Sequence, residues 1–160
     1  MVSTLSINIG NLLLSLSDAI EIANPSIALH QIKTAYIALR IAESINLQKT
    51  KMENIFIAAL FHDIGAISVE DKIRLHNFEE NKTDTHCILT DAFFSLNPLF
   101  KASTKIVRYH HRAWRDWDEP ISSPGVLESQ IINCADLLER LISRNQFILH
   151  QVDMLILKMN

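Results

Sequence analysis

Ala58-Ala59-Leu60-Phe61-His62-Asp63-Ile64-Gly65 sets a histidine and an aspartate side by side at the end of an apolar run. Ile55, Ala58, Ala59 and His62 recur at helical spacing, so the imidazole belongs to an apolar face. Asp63 stands one turn beyond Ala59 and two beyond Phe56, again among apolar neighbours. An ionised carboxylate buried there without a strong partner is very costly. A metal ion supplies that partner and takes the imidazole as well. The plain alternative is a core histidine beside a capping aspartate. The rest of the chain decides between them.

Helical stripes run outward from this stretch in both directions. Upstream, Ile9, Leu12, Leu13, Leu16, Ala19, Ile20 and Ala23 form one over residues 8–23. Asn24-Pro25 reads as a cap and first-turn proline for a helix over about 26–45. In that helix Leu29, Ile32, Tyr36 and Leu39 are expected in the core, and His30 lies near its start. Thr50-Lys51-Met52-Glu53 matches a capping box opening the helix that ends at His62-Asp63. Gly65 suits a left-handed turn closing it. Ser68, with Asp71 three residues on, starts a short helix. Residues 76–84, with Glu79, Glu80 and Lys82, read as loop.

Downstream, a helix from about Asp84 places His86, Leu89 and Phe93 at helical spacing. Asn97-Pro98 opens another, with Leu99, Ala102, Ile106 and Val107, ending at Tyr109-His110-His111. Residues 112–122 form a loop carrying Trp114 and Trp117. Ser123-Pro124 starts a helix with Leu127, Ile131, Cys134, Leu138 and Leu141 inward and Asp136 to one side. The last segment, 146–158, carries Phe147, Ile148, Val152, Leu155 and Ile156. The expected fold is all-α, one bundle of six to eight helices. Its parts are an N-terminal helix in 1–25, a core in 26–145 and a C-terminal helix in 146–160 that can continue into a longer parent protein.

The chain has 160 residues, 48% hydrophobic and 21% charged, as expected for one soluble domain with a sizeable core. The net charge of −3 does not indicate a nucleic-acid footprint. No apolar run is long enough for a bilayer, and no cleavable signal is seen. Cys87 and Cys134 lack metal-type spacing and read as reduced core residues of a cytoplasmic protein. Seven histidines are the unusual feature, and their positions matter more than their number.

In chain order the candidate ligands are His30, His62, Asp63, His86, His110, His111 and Asp136. Each lies on or at the end of an expected helix beside apolar positions. Together they can hold two metals, with Asp63 giving one oxygen to each. Imidazole and carboxylate donors favour two divalent ions, Fe or Mn first, with Zn, Ni, Co or Mg as other candidates. His76 and His150 fall outside the pattern and read as surface or packing residues.

This order and spacing resembles the HD-domain metal-dependent phosphohydrolases over roughly residues 26–145, with the HD-GYP cyclic-di-GMP phosphodiesterases as the nearest branch. The resemblance rests on His30, Phe61-His62-Asp63-Ile64-Gly65, His86, Tyr109-His110-His111 and Cys134-Ala135-Asp136. It implies that His30, His62, Asp63 and Asp136 hold one metal and Asp63, His86, His110 and His111 the other. It also makes His62 and Asp63 the catalytic pair. The departures are Ala66 where that branch has lysine, Arg112 where it has glutamate, and Asp118-Glu119-Pro120 where it has Gly-Tyr-Pro. Ser26 stands where trimetal members have glutamate, so a third metal is not expected.

Two metals about 3.5–4 Å apart activate a water as hydroxide and stabilise phosphoryl charge. The expected activity is hydrolysis of a phosphoester or phosphodiester of nucleotide or cyclic-nucleotide class. Arg112 and Arg115 can grip its phosphate in place of the lysine, or simply pair with Asp116, Asp118 and Glu119. The alternative is a catalytically degenerate module that binds metal or nucleotide for regulation or dimerisation. The expected partner is a small phosphorylated substrate, and a homodimer is compatible with the sequence.

Overall fold

The computed structural model describes residues 8–21, 27–77, 84–143 and 145–159. The helix start at Asn24-Pro25, the Ser26 position, Ala23 and the Glu79, Glu80 and Lys82 stretch lie outside them. Eight α-helices and no strand occur among the described residues. They are α1 (Ile9–Glu21), α2 (His30–Ser44), α3 (Lys49–Phe61), α4 (Val69–His76), α5 (Asp84–Ser95), α6 (Thr104–Arg108), α7 (Val126–Leu141) and α8 (Val152–Met159). No helix among them is long and apolar enough to cross a membrane.

The centre of the bundle is α2, α3 and α7. Ala35, Ala38 and Ala42 of α2 meet Ile55, Ala58, Ala59 and Leu60 of α3, with Ile131, Ile132 and Ala135 of α7 closing the core. Alanines at the crossings let the helix axes approach closely. Phe94, Phe100, Ile106 and Val107 extend the same core toward α5 and α6.

Small side chains also explain why the buried face of α2 is not the one its large apolar residues suggested. Tyr36 and Leu29 are exposed, Ile32 and Leu39 half-buried. The buried face carries His30, Gln31, Thr34, Ala35, Ala38 and Ala42. α1 is corrected likewise: Leu13, Ser17 and Glu21 face inward, whereas Leu12 and Leu16 are exposed. Its polar groups have work there, because Glu21 accepts the Gln31 backbone N–H at 2.8 Å and Ser17 donates to Gln31 at 3.2 Å. On α5 the inward residues are Cys87, Thr90 and Phe94, with Leu89 and Phe93 outside.

Several helix ends also differ in detail. Gln48, not Thr50, precedes α3, and no side chain caps it. Ser68 caps α4 by accepting the Asp71 N–H at 3.0 Å, as expected. After Asn97-Pro98 comes a turn and a short 3-10 segment, Lys101–Ser103, before α6. α7 starts after Gly125, whose φ of 83° needs glycine and whose N–H donates to Glu128 at 3.1 Å. In the last segment only Leu155 of the expected apolar set is buried.

Gly65 has a different role from the one expected. It does not take the left-handed conformation; Gly125 is the described glycine with positive φ. A Cβ on Gly65 would stand 2.1 Å from the His86 carbonyl oxygen and 2.8 Å from the Thr90 nitrogen. The missing side chain therefore lets α5 lie against the turn after α3. Thr90 fastens this approach, donating to the His62 carbonyl and accepting the Gly65 N–H, each at 3.0 Å.

Candidate metal centre

Five helix-anchored segments bring their polar residues to one buried point. α2 supplies His30 at its first turn, the turn after α3 supplies His62 and Asp63, and α5 supplies His86. His110 and His111 follow α6. Their strand of backbone is clamped from α7, where Asn133 donates to the His110 carbonyl at 2.7 Å and Gln130 to the Arg112 carbonyl at 2.8 Å. α7 itself supplies Asp136.

Asp63 sits between two sets of imidazoles. Its Oδ2 lies 3.2 Å from His62 Nε2 and 3.8 Å from His30 Nε2. Its Oδ1 lies 3.3 Å from His86 Nε2 and 3.7 Å from His110 Nε2. Asp136 Oδ1 completes the first set, 3.3 Å from His30 Nε2 and 3.7 Å from His62 Nε2. His111 joins the second through ring contacts, its centroid 4.0 Å from that of His110 and 5.1 Å from that of His86.

The outer atoms of four of these ligands are already committed. His62 Nδ1 donates to the Ala59 carbonyl at 2.8 Å and His110 Nδ1 to the Val107 carbonyl at 2.7 Å. His30 Nδ1 lies 2.6 Å from Glu139 Oε2. A carbonyl can only accept, so the proton is on Nδ1 and Nε2 faces inward. Arg140 takes Asp136 Oδ2 at 2.5 Å, leaving Oδ1 for the centre, and Arg140 also donates to the Leu75 carbonyl at 2.9 Å. Such outer partners fix tautomer and orientation in metal sites.

The inner atoms are the opposite case. His62 Nε2, Asp63 Oδ1, His110 Nε2 and Asp136 Oδ1 are buried and find no hydrogen-bond partner among the described residues. Buried polar atoms left so are costly. Here His62 Nε2 faces Asp136 Oδ1, and His110 Nε2 faces Asp63 Oδ1, each across 3.7 Å without forming a hydrogen bond. That is the arrangement of donors around a shared cation, and the donor types fit hard to borderline divalent ions.

Electrostatics agree. Burial raises Asp63, but His62, His110 and His30 hold it well below the usual carboxylate range. Asp136 is likewise raised by burial and held well below by His30, His62 and Arg140. Burial lowers His30, yet Asp136, Asp63 and Glu139 lift it well above 6.5. His62 is raised by Asp63 and Asp136 against the same penalty. His110 also ends well above, lifted by Cys87 and Asp63 against burial. His111 goes the other way, pushed well below by burial and by His110. The carboxylates are thus ionised at neutral pH, and protons occupy sites that cations can take.

A family model for the HD domain matches residues 27–141. The chain belongs to the HD domain family. The matched span contains all seven inner residues, from His30 to Asp136. The His/Asp clusters within the matched span could hold divalent metal. Neither the curated proteins nor the solved structures compared with the chain gave a match.

A cavity of about 380 Å³ opens beside the second set, lined by Cys87, Arg108, Tyr109, His111, Arg112, Ala113 and Asp116. Arg112 lines it with its guanidinium 4.9 Å above the Trp117 ring and its Nε donating to the Asp116 carbonyl at 3.0 Å. Arg115 points to solvent near Asp116 and is not part of that lining. Arg108 takes a place there that the sequence did not suggest. Trp117 is half-buried against Tyr109, and Trp114 is exposed. Glu139 and Arg140 were also missed, although they follow Asp136 at i+3 and i+4 on one helix face. His76 lies nearer than expected, its ring edge-on to His30 with centroids 5.4 Å apart.

Proposed function

We propose that the chain is a two-metal phosphohydrolase acting on a small phosphoester or phosphodiester of nucleotide class. The observation that carries this reading is the division of the Asp63 carboxylate, one oxygen toward His30 and His62, the other toward His86 and His110. His30, His62, Asp63 and Asp136 would hold one ion; Asp63, His86, His110 and His111 the other. Divalent ions bound there supply Lewis acidity and lower the pKa of coordinated water.

The protein's own part is placement. Asp63 fixes the spacing of the two sets, and Glu139, Ala59 and Val107 hold the imidazoles with Nε2 inward. Arg108 and Arg112 offer cationic donors to a phosphate in the adjoining cavity. That cavity is near the lower end of small-ligand pockets, which span about 300–1,000 Å³. A mononucleotide-sized phosphoester suits it better than a cyclic dinucleotide. The HD-GYP likeness therefore extends to the metal shell, while Ala66, Arg112 and Asp118-Glu119-Pro120 belong to a changed substrate shell. Glu119 in that loop is held by the Lys105 ammonium at 2.7 Å and 2.9 Å.

The test is metal analysis followed by a turnover screen. Cyclic dinucleotides, nucleoside phosphates and a generic bis-aryl phosphate are offered to protein loaded with Mn, Fe, Zn or Co. Hydrolysis of a phosphoester that chelator abolishes supports the proposal. Two bound ions without turnover of any member would favour the regulatory alternative.

A further inference from the structure

Cys87 was expected in the core, apart from any metal chemistry. Its sulfur instead lies 3.5 Å from His86 Nε2 and 3.7 Å from His110 Nδ1. The side chain is buried, yet it borders the cavity together with His111. One ligand atom from each of His86, Cys87, His110 and His111 falls within 4.8 Å of all the others.

The separations are those of atoms sharing an ion. Zinc bonds of about 2.3 Å to sulfur and about 2.0–2.1 Å to nitrogen or oxygen put adjacent donors of a five-ligand shell roughly 3.1–3.8 Å apart for sulfur and nitrogen and roughly 2.9–3.6 Å apart for nitrogen and oxygen. His86 Nε2 meets both, at 3.5 Å from Cys87 Sγ and 3.3 Å from Asp63 Oδ1. Independent of the cysteine, His110 Nε2 and Asp63 Oδ1 are buried beside it without a partner among the described residues.

We propose that Cys87 is a thiolate ligand of the ion held by Asp63, His86, His110 and His111, so that the two ions occupy chemically different shells. The inference rests on the metal-centre reading above and goes beyond it in naming a sulfur donor. On binding, the S–H proton passes to solvent and a sulfur–metal bond forms, with no change of oxidation state. A thiolate shifts the second position toward zinc or cobalt, while the first, with two carboxylates and two imidazoles, keeps a preference for harder ions. The competing role for Sγ is an outer acceptor of the His110 Nδ1–H, which makes no bond to metal.

Cobalt(II) distinguishes the two roles, because a thiolate bound to it gives a near-ultraviolet charge-transfer absorption that imidazole and carboxylate do not. Wild type, Cys134→Ser, Cys87→Ser and Cys87→Ala are titrated with cobalt while bound metal is counted. The expected result is the band in wild type and Cys134→Ser, saturating with one of two ions, and no band in either Cys87 variant. Two bound cobalt ions in wild type without the band, or a band that survives in Cys87→Ser, would overturn the ligand role alone. Failure of wild type to bind cobalt at all would overturn the metal centre and this inference with it.

Discussion

Glu139 Oε2 lies 2.6 Å from His30 Nδ1, a contact between two helices 109 residues apart in sequence. It turns His30 so that Nε2 meets Asp136 and Asp63. Removing such an outer partner typically costs about 10–100-fold in metal affinity. Glu139→Ala should therefore weaken the ion held by His30 and His62 by that factor and leave the other within about twofold. Calorimetric titration resolves the two steps; equal weakening of both, or of neither, would remove Glu139 from this role.

Gly65→Ala should disturb the centre through α5. The added Cβ meets the His86 carbonyl and the Thr90 nitrogen inside contact distance, so α5 must retreat. Forced overpacking of this kind costs about 1–3 kcal/mol. The variant should melt lower and lose the ion that needs His86, while retaining its helical spectrum. Wild-type stability and metal content in Gly65→Ala would show that α5 does not depend on this approach.

These two residues mark what a linear reading could and could not see. That these seven side chains gather at one point was legible from their order and spacing and the resemblance resting on it, since the His62-Asp63 pair alone is a weak signal. The helical architecture was legible from the stripes. The buried face of α2 was not, since its large residues lie outward and alanines, a histidine and a glutamine lie inward. Periodicity marks a face but not which partner helix covers it. Glu139 and Arg140 were readable in principle from their helical spacing to Asp136. The closeness of α5 to Gly65, and of Cys87 to three imidazoles, depends on how α5 packs, which no local pattern encodes.

The metal-free protein should lose stability as pH rises above neutrality. His30 and His110 titrate well above 6.5 when folded, and His62 is raised as well. A raised folded pKa contributes stability that is complete below the unfolded value of about 6.5 and is lost as pH rises through the folded value. Asp63 and Asp136, held well below their usual range, contribute stability present above about 4 and lost as pH falls through the folded value. His111, held neutral, opposes the other histidines below about 6.5. Cys87, raised by burial but brought down to about 7 by His110 and His86, offsets part of the histidine loss above pH 7, and the metal-free optimum falls between about pH 4 and 6.5. Denaturant melts in chelator should show a decline from pH 6 to 8.5 that added metal removes; rising metal-free stability over that range would refute the charge balance.

Arg112 and Arg115 should separate in kinetics. Arg112 lines the cavity, whereas Arg115 is exposed beside Asp116. A charge-assisted hydrogen bond contributes about 1.5–3 kcal/mol. Once a substrate is found, Arg112→Ala should lower kcat/KM by about 10–100-fold. Arg115→Ala should stay within about twofold. The reverse pattern would relocate the phosphate grip to the outer loop.

The central claim is that Asp63 joins two ions, and metal stoichiometry tests it most directly. Wild type and Asp63→Ala are purified, loaded with excess divalent metal, desalted and analysed for bound metal per folded chain. The account predicts two ions in wild type and no more than one in Asp63→Ala, with the helical spectrum retained. Equal metal content in the two proteins would contradict it.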